Sequence, residues 1–182
     1  MNYLADLVNQ INSFETKKVD NFIEILKIKQ KKKKNFFICG NGGSAANANH
    51  ISNDLMLGFS KIKIGFPLLS LSSNIAKISC IGNDVGYEKI FSNQLRVLGN
   101  KDDLLIILSG SGNSKNIIEV AKQAKKMKIY VFGLIGFNGG KVKNLLDSYI
   151  HFKSNDMQIC EDMQMIVMNY VMKKISNQKF KF

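Results

Sequence analysis

Three times in this chain an unbroken apolar run ends in a glycine-rich turn and gives way to residues with helical spacing. "NFFIC" (35–39) leads into "GNGGS", "DLLIIL" (103–108) into "SGSGNS", and "KIYVFGLIG" (128–136) into "GFNGGK", which shares its last glycine. A strand that is apolar at every position is buried on both faces, and that burial is found where helices cover a parallel sheet above and below. "PLLSLS" (67–72), with the chain's one proline at its start, and "SYIHF" (148–152) add two more short runs. Between the runs the spacing is helical: 44–56, 73–84, 86–98, 114–127, a short 139–146 and a long 156–175. Over 3–30, Leu4, Leu7, Val8 and Ile11, then Val19, Phe22, Ile23 and Leu26 form two apolar stripes. "FETKK" interrupts them, so two helices or one bent helix are expected there. The expected fold is α/β, a three-layer α/β/α sandwich with a five-stranded parallel sheet. It forms a single domain over 1–182 with a helical amino-terminal segment, 1–34.

With 182 residues, 45% of them hydrophobic, the chain can bury a sizeable core. No apolar run is long enough to span a bilayer, and "MNYLADLVNQINSF" carries no cleavable signal pattern. A cytoplasmic protein without a membrane role is expected. Cys39, Cys80 and Cys160 are odd in number and far apart, which reads as reduced buried thiols without a disulfide framework. The net charge is +12, and 25 of the 26 basic residues are lysine, with Arg96 the lone exception. A reader of nucleic-acid bases grips them with arginine and exposed aromatics. Their absence makes the lysines, densest in "KIKQKKKK" (27–34), a solubility device and not a nucleic-acid surface.

In open parallel sheets ligands bind beyond the carboxyl ends of the strands, where the three glycine-rich turns fall. "GNGGSA" fits a relaxed dinucleotide fingerprint through Gly40, Gly42 and Ala45, but the next strand ends in "SLSSN", without the acid a ribose needs. No G-x-x-x-x-G-K-[ST] pattern is present, so the phosphate loop of NTPases is excluded. "LSGSGNSKN" (108–116) is more telling. Ser109, Ser111 and Ser114 supply hydroxyls, Gly110 and Gly112 let main-chain amides close in, and the following helix adds its positive end. Ser114 as a helix cap would account for one serine, but not for three with two interleaved glycines. The loop suits one phosphate monoester held by neutral donors, with Ser44 in a similar part on the first loop.

"GNGGSAANANH", "CIGNDVGYEKIF", "SGSGNS" and "GFNGG", in that order, resemble the sugar isomerase (SIS) domain, and within it the phosphoheptose isomerase group. The resemblance runs from about residue 4 to 175. It implies a homotetramer with active sites between subunits, acting on sedoheptulose 7-phosphate for bacterial surface polysaccharide. It also implies sugar-phosphate contacts at Asn41, Gly42, Gly43, Ser44, Asn83, Asp84, Ser109, Gly110, Ser111 and Ser114. The family pattern of catalytic residues is His-x-x-x-Glu on one helix, and Gln followed eight residues later by His on the last. Here those positions hold His50, Asp54, Glu161 and Asn169.

Aldose–ketose isomerisation needs a base at the carbon-bound proton and an acid or electrophile at the oxygens. Asp54 keeps the carboxylate but reaches one methylene less far. Asn169 cannot exchange a proton at neutral pH, which leaves it a binding role and makes Glu161 the replacement acid–base group beside Asp54. Two neighbouring carboxylates push one pKa upward. His50, Asp54 and Glu161 could instead hold one divalent metal, zinc or a harder ion, that would stand in for the missing acid. His50 can equally be a hydrogen-bonded structural residue at a subunit contact. His151 reads as structural, the methionine-rich "CEDMQMIVMNYVM" as a core helix, and Asp162 as pointing away from the site. The expected function is a phosphoheptose-type isomerase, with no cofactor required or one divalent metal. The alternatives are a non-catalytic SIS protein that binds a replication initiator, or a sugar-phosphate sensor.

Overall fold

The structure, a computed structural model, describes residues 2–57 and 66–176. Five parallel strands form one sheet in the order β2-β1-β3-β4-β5. They are β1 (Phe36–Cys39), β2 (Leu68–Ser70), β3 (Leu104–Ser109), β4 (Tyr130–Ile135) and β5 (Ser148–His151). The helices are α1 (Tyr3–Ser13), α2 (Thr16–Lys31), α3 (Gly43–Leu57), α4 (Ile75–Asp84), α5 (Ser92–Leu98), α6 (Lys115–Lys126) and α7 (Met157–Ile175). Chain order reverses direction between β1 and β3, so a crevice opens above their carboxyl ends. The register there is continuous, from Phe36 opposite Leu104 to Cys39 opposite Ile107.

The all-apolar strands are buried on both faces, as their composition requires. Leu104, Ile106 and Leu108 of β3 join one core with α2, α3 and α7. Leu105 and Ile107 join a second core with α5 and α6. On α2 the buried residues are Val19, Phe22, Ile23 and Leu26, which is one helical stripe. Phe22 stacks on Phe132 of β4, ring centroids 3.7 Å apart. Burying such side chains contributes about 1.5–3 kcal/mol each. On α6 the stripe is Ile117, Val120, Ala121 and Ala124. Met163 and Met168 of α7 are fully buried, so the methionine-rich helix is a core element.

The apolar stripes of 3–30 become two helices, because Phe14 is extended and ends α1. The 139–146 segment forms a 3-10 turn, Lys141–Leu145, in place of an α-helix. The "PLLSLS" run supplies three strand residues, Leu68–Ser70. Cys39 and Cys160 are buried free thiols, but Cys80 is exposed on α4, which corrects the expectation of a buried thiol there. Among the described residues, no helix is long and apolar enough to cross a membrane.

Candidate functional site

Two turns meet above the gap between β1 and β3. The first leaves β1 at Cys39 and enters α3 at Gly43. Its Gly40 carbonyl accepts from the Ser72 hydroxyl at 3.0 Å, and that hydroxyl accepts in turn from the Gly40 amide at 3.2 Å. The second turn leaves β3 at Ser109 and enters α6. The Gly112 amide donates to Ser109 Oγ at 3.0 Å, and the Asn113 amide to Ser111 Oγ at 3.3 Å. Both hydroxyls accept from the loop itself and keep their own proton to donate outward. Ser114 stands at the cap position of α6 but makes no capping hydrogen bond, so its hydroxyl also remains available.

Between the turns lies a hollow of about 250 Å3. Asn41, Gly42 and Ser44 line it from the first turn, Ser109, Gly110, Ser111 and Ser114 from the second, and Met157 and Glu161 from α7. Among the described residues, no lysine or arginine lines it. Larger hollows of about 420 and 330 Å3 lie under α2 and beside α4 and α5, away from the carboxyl ends of the strands. The small hollow gathers Ser44, Ser109, Ser111 and Ser114 at the carboxyl ends of β1 and β3, a set of hydroxyls suited to one anionic ester group.

Where the amino-terminal turns of α7 meet α3, at Glu161 and Gln164, the contact is polar. The Ser44 amide donates to Glu161 Oε1 at 3.0 Å, and Ser44 Oγ lies 3.4 Å from the same oxygen. Gln164, fully buried, donates to Ser44 Oγ at 3.1 Å. Asn47 Nδ2 donates to the Glu161 carbonyl at 2.9 Å and to Gln164 Oε1 at 3.1 Å. A Cβ on Gly43 would stand 2.1 Å from Glu161 Oε2, so the carboxylate rests directly on the glycine turn.

The two turns are joined by a reciprocal amide pair that sequence reasoning passed over. Asn41 Nδ2 donates to Asn116 Oδ1, and Asn116 Nδ2 to Asn41 Oδ1, each at 2.8 Å. The Tyr87 hydroxyl adds a third bond to Asn41 Oδ1 at 3.4 Å. Asn116 is 2% exposed, on the apolar side of α6. An asparagine one residue before the buried stripe of an amphipathic helix was the available signal.

The remaining expected site residues stand elsewhere on the chain. His50 Nε2 and Asp54 Oδ2 pair at 3.0 Å on the outer face of α3, with side chains 60% and 31% exposed. Six residues separate His50 from Ser44, about 9 Å along the helix. Asn169 is exposed on α7, eight residues or about 12 Å beyond Glu161. Asn83 and Asp84 lie on the exposed last turn of α4, outside the lining of the hollow. There the Asn83 amide, and then the Cys80 thiol, hold the Asp84 carboxyl below its ordinary range. Asp162 bonds the Tyr3 hydroxyl of α1, away from the hollow, and His151 Nε2 bonds the Phe137 carbonyl at 2.9 Å.

Among the described residues, no three His, Cys, Asp or Glu side chains gather as a metal set. His50 and Asp54 hold each other while Glu161 is held by Ser44, so these three do not fit a metal within one chain.

Sequence comparison agrees with this architecture. The SIS domain family matches residues 1–136, a stretch that ends before α7 and therefore before Glu161 and Asn169. A phosphoheptose isomerase from a Nitratiruptor species is 37% identical over 137 residues, covering 75% of this chain and 73% of that protein. That of Helicobacter pylori is 38% identical over 132 residues, 72% of this chain and 69% of the relative. The structure of phosphoheptose isomerase GmhA from Neisseria gonorrhoeae superposes with a TM-score of 0.88 at 26% identity, over 96% of this chain and 95% of that one. The chain belongs to the SIS-domain family and, within it, to the phosphoheptose isomerases.

Proposed function

We infer that the chain is a cytoplasmic sugar-phosphate isomerase of the phosphoheptose type, interconverting the aldose and ketose forms of sedoheptulose 7-phosphate or a related phosphosugar. The observation that carries this reading is the hollow above β1 and β3, which the three serines of one turn line together with Asn41, Gly42 and Ser44 of the other. The ester group sits against Ser109, Ser111 and Ser114, and the open carbon chain extends outward. A carboxylate takes the proton from the carbon next to the carbonyl. The resulting enediol receives it back on the neighbouring carbon while the two oxygens exchange theirs. Asp54 is the proposed base, and its hydrogen bond to His50 fixes the carboxylate rotamer. Glu161 is the second carboxylate, and Asn169 contributes an amide for binding.

His50 and Asp54 face outward, so the base and the ester seat of one chain do not share a pocket. This supports sites shared between copies, as in a homotetramer. So does the exposed apolar surface: α1 and α4 have no fully buried residue, and Leu4, Val8, Ile75 and Val85 are open to solvent. Such unpartnered helical faces are satisfied by burial against another copy.

The deciding experiment incubates the protein with sedoheptulose 7-phosphate, with and without zinc, and follows aldose formation by NMR. Turnover is expected. Binding without conversion would make the protein a sensor, and neither binding nor conversion would favour the initiator-binding role. A companion test co-refolds Asp54→Asn with a Ser109→Ala/Ser111→Ala variant, each inactive alone. Sites shared between copies regain about a quarter of wild-type activity on random mixing. Sites confined to one chain regain none.

A further inference from the structure

The hollow assigned to the phosphate already contains an anion. Glu161 places one carboxylate oxygen 3.0 Å from the Ser44 amide, at the amino end of the fifteen-residue α3, and lays the other on Gly43. An incoming phosphate would otherwise be drawn to that helix end. The carboxylate is not a loose surface group. Its main-chain carbonyl is held by Asn47, and the serine it binds is held by the buried Gln164. The other polar groups of the hollow are neutral, and among the described residues no cation lines it. An ester group therefore enters a hollow whose charged lining side chain is a carboxylate, with the serine hydroxyls as its donors. The same carboxylate can only accept hydrogen bonds, so it rewards a ligand that brings hydroxyl donors.

We propose that Glu161 is the specificity-determining residue of this hollow: it turns away inorganic phosphate and other small anions and admits phosphate monoesters of polyhydroxylated chains, whose hydroxyls donate to the carboxylate. This rests on the sugar-phosphate reading above and adds to it the basis of selection. Repulsion between the fixed carboxylate and the phosphate acts on every phosphate ligand. The compensating hydrogen bonds are open only to one that carries hydroxyls beside the ester. The arrangement weakens gross affinity, and in exchange the site stays free of an abundant cellular ion.

The test measures binding of inorganic phosphate and of a non-isomerisable polyol phosphate, sorbitol 6-phosphate, by calorimetry. The wild-type protein prefers the polyol phosphate by roughly 100-fold, and Glu161→Gln, which has nearly the same shape, binds inorganic phosphate about tenfold more tightly or better. Its affinity for the polyol phosphate changes less, so the preference collapses. Unchanged or weaker phosphate binding by the variant overturns the proposal and leaves the cradle intact. A wild-type protein without preference between the two ligands overturns it without recourse to any variant. If neither ligand binds either protein, the sugar-phosphate reading itself has failed.

Discussion

Gly112 is where a single methyl group should do the most damage to the ester seat. It lies in the left-handed region, at φ +63°, and a Cβ there would stand 2.1 Å from the Gly139 carbonyl oxygen and 2.6 Å from its carbon. Both obstacles are main chain, so no rotamer change relieves them. The Gly112 carbonyl also accepts from the Val142 amide at 3.0 Å, which presses the "GFNGG" turn onto the "SGSG" turn. The left-handed conformation costs alanine about 1–2 kcal/mol. Forcing a methyl into packed main chain costs about 1–3 kcal/mol more. A total near 3 kcal/mol lowers Tm by roughly 6–12 °C in a chain of this size. Gly42 is the internal control, because it too has positive φ, +55°, but nothing lies within 4 Å of its would-be Cβ. Gly42→Ala should therefore lose only the conformational part, about 1–2 kcal/mol. Scanning calorimetry of both variants gives the difference, and phosphate-ester binding should fall with Gly112→Ala because the Gly112 amide anchors Ser109. If Gly112→Ala is no less stable than Gly42→Ala, the buttressing of one glycine turn by the other is wrong.

Two further expectations follow from hydrogen bonds. Asn116→Ala should weaken binding of a phosphate ester by about tenfold, since it removes both amide bonds to Asn41 and leaves only the longer one from Tyr87. If it acts through Asn41, the Asn41→Ala/Asn116→Ala double variant binds no worse than Asn41→Ala, whereas additive losses would refute the clasp. Cys80 should be the thiol that a maleimide labels at pH 8, because Cys39 and Cys160 are buried and burial pushes both thiols upward. The hydrogen bond to Asp84, and then its charge, raise the Cys80 thiol above its ordinary value, so less thiolate is present at pH 8. Asp84→Asn should speed labelling at pH 8, with the advantage vanishing at a pH high enough to ionise Cys80 in both proteins. An unchanged rate would mean that the carboxylate and thiol do not meet in solution.

The sheet was legible because continuous apolar runs have one reading in a chain with helices between them. The stripes of α2 and α6 were legible because residues at i, i+3, i+4 and i+7 share a face. Tertiary choices were not. Nothing local in "ISCIGND" separates an exposed Cys80 from a buried one, since the outcome depends on whether α4 is covered. The "GGKVKNLL" segment looks helical, but its turn is held by Gly112 of another loop, a contact distant in sequence. Asn116 was passed over because its partner lies 75 positions earlier.

The site shows the same division more sharply. Spacing of i and i+4 places His50 and Asp54 side by side on α3, and the structure joins them. Spacing cannot say which pocket that face meets. The three serines of the second turn were assigned to one anion because they are local to one loop, and the loop does converge on one hollow. Glu161 came to the site through family position and not through pattern, and its neighbours explain why it stays. Ser44 gives the side chain an amide and a hydroxyl, which satisfy a carboxylate oxygen as well as an amide oxygen, while Asn47 holds the Glu161 main-chain carbonyl and Gln164 holds Ser44. A helix pair that can hold either group tolerates the exchange structurally, so its consequence falls on the ligand. The chemistry of this isomerase should therefore differ from that of its relatives first in which anions it binds, and only then in how fast it moves a proton.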